Sequence, residues 1–219
     1  MSQEMEQLEK TLRQTLESFH YVQAQEIPSI DLYMDQVTTF MEERLRRTAR
    51  HPETDKLLTK TMINNYAKSD LLIPPVKKKY NVDHMLLLLL IYYFKSFLSI
   101  GDIQALLAPV RERYAEPPRE KRGRGHGGAA QEGAGAPALT LREIYETVRQ
   151  DMERQSEHIG QDMERQLAAA EQAFAGAQDG ERAMLQRFDL ICQMSAEVFV
   201  KKMMIEKLID EMNEKTGGK

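Results

Sequence analysis

Apolar residues recur at helical spacing along most of the chain. Met5, Leu8, Leu12, Leu16 and Phe19 form one stripe within residues 3–19 and predict a short amphipathic helix. Ile27-Pro28-Ser29-Ile30 breaks it, and Asp31 is a suitable N-cap for a second helix running to about Arg47. That helix carries Leu32, Met34, Val37, Phe40, Met41 and Leu45 as its apolar set, and His51-Pro52-Glu53 ends the segment. Thr59 can cap a third helix over 59–69. Pro74-Pro75 forbids helix at its start and predicts a tight extended excursion. Residues 73–82 are the one stretch with strand-like character, enough for a small hairpin. Asn81 then caps a strongly apolar helix carrying Met85 to Leu98. Ser99 and Asp102 have capping-box spacing for a short helix through Leu107, with Pro109 just beyond.

Residues 111–138 are rich in Gly, Pro and Arg and predict a flexible linker. The helical period resumes at Leu141 and reaches Phe174. It includes Asp-Met-Glu-Arg-Gln twice, at 151–155 and 162–166, an offset close to three helical turns. A last helix over about 182–213 spaces Met184, Phe188, Ile191, Val198, Ile205, Ile209 and Met212 in alternating steps near three and four. Its apolar face is wide enough to call for burial against other helices or another subunit, and Cys192 within it is expected to be a buried structural thiol. The expected fold is all-α in the main, with a small hairpin and long C-terminal helices. The expected divisions are 1–26 (amphipathic helix), 27–110 (compact domain), 111–138 (linker) and 139–219 (dimerisation or sensing helices).

Composition narrows the functional classes. The longest apolar run, Met85–Phe94, is about half of a bilayer span of about 20 residues, so no membrane segment is expected. The first residues have no signal-peptide pattern and there is one cysteine, which together suggest a reducing, cytoplasmic setting. The net charge of −4 conceals a strong asymmetry. Residues 1–43 hold two basic and nine acidic side chains, whereas residues 44–79 hold ten basic and three acidic, a balance of +7. Such a segment suits a polyanion.

No constellation for catalysis is present. His20, His51, His84, His126 and His158 are scattered without metal-ligand spacing, and the glycines of 123–135 lack the strand and the Lys-Ser/Thr ending of a phosphate cradle. No catalytic residue, metal or cofactor is therefore assigned. The helix at 59–69 is more informative. With Met62, Ile63 and Tyr66 inward, Lys60, Thr61, Asn64, Asn65 and Lys68 share the outer side. Asn can pair bidentately with adenine, Thr can meet base edges, and lysines neutralise phosphates. Lys77-Lys78-Lys79 behind Pro74-Pro75 offer a second phosphate contact, and Arg44 and Arg47 are assigned to the same surface. A helix followed by a basic projection is the layout of a winged helix-turn-helix. An amphipathic helix with a solvated lysine turn would leave the same pattern.

The order of parts, NYAKSDLLIPP then KKYNVDHMLLL then FLSIGDIQALL, resembles the MerR-type DNA-binding domain; Tyr66, Leu71, Leu72, Pro74, Pro75, Tyr80, Ser99, Asp102, Ile103, Leu106 and Leu107 match its pattern. Residues 27–108, with IPSIDLYMDQVTTFMEERL and LTKTMINNYAK, more closely resemble an uncharacterised bacterial family, domain of unknown function eighteen thirty-six. The first resemblance implies a transcription regulator that reads double-stranded DNA with a recognition helix at 59–69 and a wing at 74–80, as a homodimer through its C-terminal helices. The alternative is a non-catalytic helical adaptor that keeps the fold and binds a protein, suggested by the acidic flanks and the methionine-rich last helix. The sequence names no effector ligand.

Overall fold

The computed structural model describes residues 3–115 and 139–217. They are mainly helical, with one sheet of two short strands. The order is α1 (Gln3–Ser18), β1 (Leu32–Tyr33), α2 (Met34–Leu45), α3 (Lys60–Lys68), β2 (Lys79–Tyr80), α4 (Val82–Phe94), α5 (Ile100–Tyr114), α6 (Leu141–Gln172) and α7 (Asp179–Gly217), with single 3-10 turns at Ala24–Glu26 and Arg46–Thr48. The chain divides into two compact units: Met1–Tyr21 with Gln150–Leu208, and Val22–Arg149 with Ile209–Lys219. This grouping does not follow the linear division expected at residues 26, 110 and 138. The expected linker falls largely on 116–138, outside the described residues.

The larger unit is built around α4. His84 through Ile91 are all buried, so this helix has no polar face and must be surrounded. Val37, Phe40, Met41 and Leu45 of α2, Ile63 and Tyr66 of α3, and Ile103 and Leu107 of α5 are buried from the neighbouring helices. Caps set the starts. Thr59 Oγ1 accepts the Met62 N–H at 3.2 Å, Asn81 Oδ1 accepts that of His84 at 3.1 Å, and Ser99 Oγ accepts that of Asp102 at 3.1 Å.

The long connection from α2 to α3 is held by polar groups. Arg46 donates to the carbonyls of Pro52 and Asp55, the Asp55 carboxylate accepts the His51 N–H at 2.9 Å, and Lys95 Nζ donates to the Leu57 carbonyl at 2.7 Å. A second clasp fixes the segment that enters this unit. Tyr145 Oη donates to the Val22 carbonyl at 2.6 Å and Tyr93 Oη accepts the Val22 N–H at 3.0 Å. Glu146 accepts the Ala24 N–H at 3.2 Å while Arg142 donates to the Ala24 carbonyl at 2.8 Å. Burial raises the Tyr145 hydroxyl above the usual tyrosine range, so it stays a donor.

In the smaller unit, α1 packs against α6 and α7 through Met5, Met163, Leu167, Ala170 and Leu190, with Leu8, Leu12 and Met194 at the margin. Arg13 bridges Glu9 at 2.9 Å and Glu164 at 2.7 Å. Gly160 lets α1 approach closely: a Cβ there would lie 3.2 Å from Leu16 Cδ2.

Several local expectations change. Asp31 does not cap α2; Leu32 and Tyr33 are drawn into pairing with β2, and the helix starts after Tyr33, whose N–H donates to Gln36 Oε1 at 2.9 Å. Strand structure therefore lies outside 73–82 as well as inside it. Helix α5 runs through Pro109 to Tyr114, because an exposed proline at this depth loses one backbone hydrogen bond without stopping the helix. The last helix begins at Asp179 rather than 182. Cys192 is exposed, because α7 packs through the side bearing Gln186 and Leu190.

Candidate nucleic-acid interface

Three short stretches of the larger unit present the basic residues. Helix α3 buries Ile63 and Tyr66, three residues apart, and therefore turns Lys60, Thr61, Asn64, Asn65 and Lys68 to solvent. Its end is formed by Asp70 at φ 55°, which allows the N–H groups of Leu71 and Leu72 to reach the Tyr66 carbonyl at 2.9 and 3.0 Å. Leu71 and Leu72 are buried, which pins the turn between α3 and the extended segment.

Pro74-Pro75 lead into a two-residue hairpin. Val76 and Lys79 form an antiparallel bridge, with the Lys79 N–H donating to the Val76 carbonyl at 2.9 Å. The two central residues, Lys77 and Lys78, have φ of 49° and 62°. Both central residues of such a primed turn need positive φ, which is why Asn-Gly is the usual choice. Lysine carries a steric cost there because its Cβ crowds the backbone. Beyond the turn, Lys79 and Tyr80 pair with Tyr33 and Leu32, so the projection is braced by the strand before α2.

All ten candidate side chains are exposed: Arg44, Arg47, Lys60, Thr61, Asn64, Asn65, Lys68, Lys77, Lys78 and Lys79. They are not equally available. Lys60 is ion-paired with Asp35 at the start of α2, and Arg44 is ion-paired with Glu26 at 3.0 Å while its guanidinium lies 5.8 Å from the Phe40 ring centroid. Lys79 Nζ lies 5.4 Å from the centroid of the Tyr33 ring. Tyr33 is 54% exposed and is a surface aromatic to which the sequence pattern assigns no role. The sign that would have revealed it is the alternation of buried Leu32 with exposed Tyr33, visible only once 31–33 is treated as strand rather than helix.

The projection is tied to the core by His84. Its Nδ1 accepts the Asn81 N–H at 3.1 Å, and its ring meets Tyr80 edge-on at a centroid distance of 5.4 Å. Burial lowers its pKa to about 4; the carbonyls of Pro74 and Ile73 oppose that shift, although no hydrogen bond of good geometry reaches Nε2. The imidazole is therefore neutral near pH 7 and serves as a packed strut beneath the hairpin. Among the described residues no three of His, Cys, Asp and Glu stand close enough to hold a metal ion, and no helix is long and apolar enough to cross a membrane.

Residues 22–122 match the family described as Domain of unknown function (DUF1836). The matched span contains α2, α3, the lysine hairpin, α4 and α5, and ends within the residues after Tyr114; α6 and α7 lie beyond it. No curated protein and no solved structure matches the chain.

Proposed function

We propose that the DUF1836-like segment binds double-stranded DNA, with α3 entering the major groove and the Lys77–Lys79 hairpin resting on the phosphate backbone, as in a MerR-like winged helix-turn-helix regulator. The observation that carries the reading is the backbone of Lys77 and Lys78. Two lysines occupy positions that glycine or asparagine would fill with less strain, and residues held in such conformations concentrate where side-chain chemistry is required. Charge at the tip of an exposed projection serves a polyanion. Support also comes from the outer face of α3, where Thr61, Asn64 and Asn65 supply groups that can read base edges, flanked by Lys60 and Lys68. Arg44 and Lys60 join only by exchanging Glu26 and Asp35 for phosphate, so each contributes less than a cation without an acidic neighbour would.

The test is fluorescence anisotropy of the full chain with duplex DNA, including fragments from its own promoter, across a salt series. Affinity is expected to fall steeply as salt rises. Changing Lys77, Lys78 and Lys79 to Ala should flatten the logarithmic slope by about 0.9 for each phosphate no longer neutralised. Asn64→Ala with Asn65→Ala should change sequence preference and leave the slope nearly intact. Absence of binding at low salt overturns the reading.

A second reading is a non-catalytic adaptor that binds a protein partner through the same unit. It is favoured by the ion pairs that hold Lys60 and Arg44 to acidic neighbours. Partner capture that survives nuclease and is abolished by changes on α3 would select it.

A further inference from the structure

Tyrosines of the larger unit are mostly engaged within the fold. Tyr92 shares a hydrogen bond with Thr48, Tyr93 and Tyr145 hold the N–H and the carbonyl of Val22, and Tyr66 and Tyr80 are buried. Tyr33 instead turns outward and is 54% exposed. Its backbone is nevertheless fixed twice. It pairs with Lys79 in the two-stranded ladder, and it is the residue from which α2 starts, with φ −82° and ψ 159°. A side chain on a backbone held in this way is presented to a ligand already ordered, so binding need not order it.

Its neighbours determine what it faces. Lys79 lies opposite on the same face of the ladder, with Nζ 5.4 Å from the ring centroid. Asp35, two residues further along, is exposed and ion-paired with Lys60, the first residue of α3. From the hairpin to α3 the outward side chains therefore run Lys79, Tyr33, Asp35, Lys60. A polyanion that rests on the hairpin and also reaches α3 must cross Tyr33.

The chemistry of the ring narrows what crosses there. Between successive phosphates a DNA strand presents a deoxyribose, whose C–H groups are the apolar part of its backbone. Tyrosine offers an apolar face to the sugar and, at its edge, a hydroxyl to a phosphate oxygen. With only two side-chain torsions it loses little entropy in doing so. We propose that Tyr33 is a DNA-contact residue: its ring packs on a deoxyribose of the strand between the hairpin and α3, and its hydroxyl donates to the adjacent phosphate. This inference rests on the DNA-binding reading and adds to it a contact that carries no charge.

Because the contact is uncharged, a salt series separates it from the lysines. In anisotropy with duplex DNA from the chain's own promoter, Tyr33→Ala should weaken binding by about tenfold and Tyr33→Phe by about threefold, the latter for one hydrogen bond to phosphate. Both should keep the wild-type salt slope, since neither removes a cation. Hydroxyl-radical footprinting reads the exposure of individual deoxyriboses. The wild type and Tyr33→Phe should protect the sugars between the hairpin and α3 contacts, and Tyr33→Ala should leave sugars within that stretch open. Urea midpoints of both variants should match the wild type, because more than half of the side chain is already in water. A midpoint that falls together with affinity would make Tyr33 a fold element and overturn the role. Wild-type affinity and footprint in Tyr33→Ala, with the unaltered chain still binding, would overturn this inference and leave the DNA-binding reading standing. A Tyr33→Phe affinity equal to wild type overturns the hydroxyl contact. If the unaltered chain binds no duplex, the DNA-binding reading fails and this inference fails with it.

Discussion

Lys77 and Lys78 set stability against binding at a scale that two substitutions can resolve. Relief of two positive-φ positions is worth about 1–2 kcal/mol when the replacement adopts them freely. Lys77→Asn with Lys78→Gly is therefore expected to raise the unfolding free energy by about 1–2 kcal/mol in urea melts, while weakening DNA binding in the anisotropy assay. A shift of stability and affinity in the same direction would mean that the hairpin is a fold element without a binding role. His84 makes a separate prediction. Its native pKa of about 4 lies below the ordinary value of 6.5, so between those values the unfolded chain binds more protons than the native one. Stability is fully present above pH 6.5 and falls as pH drops toward 4, by about 3 kcal/mol in total. Urea melts from pH 7.5 to 4.5 measure the slope. In NMR the His84 imidazole should remain neutral at pH 5.5, and a ring that titrates near 6.5 would refute the burial account.

Among the elements, the clasp on Val22–Ala24 gives the clearest test. Tyr145→Phe removes the hydroxyl and leaves the Val22 carbonyl without its donor in a buried site. The expected cost is about 1–3 kcal/mol, read from chemical denaturation, with faster amide exchange at Val22 and Ala24 than at the centre of α4. This clasp also marks the limit of what the sequence discloses. Helices α1, α3, α4 and the start of α5 are legible because capping residues and apolar spacing agree locally: Thr59, Asn81 and Ser99 each cap the helix that their position predicts. Strand β1 is not legible, since Leu32 and Tyr33 pair with residues almost fifty positions away and Asp31 offers a competing local signal for helix. The clasp joins Val22 to Tyr145, more than a hundred residues apart, and no period encodes such a contact. The candidate side chains on α3 and the hairpin are recoverable as exposed from the spacing of Ile63 and Tyr66 and from the prolines. Their ion pairs are not, because Asp35 reaches Lys60 only through the packing of α2 beside α3.

For the molecule as a whole, the weak net charge of −4 is a poor guide to its partners, since residues 44–79 alone carry a balance of +7. If the DNA-binding proposal holds, one copy releases counterions only from the phosphates that its own hairpin and α3 neutralise, and two copies on one duplex would release twice as many. The steepness of the salt dependence then counts copies. The full chain on a duplex long enough for two half-sites is expected to show about twice the slope that it shows on a duplex cut to a single half-site, read by anisotropy over roughly 50 to 300 mM salt. Equal slopes on the two duplexes would mean that one copy makes all the phosphate contacts and that the basic segment acts as a self-sufficient reader.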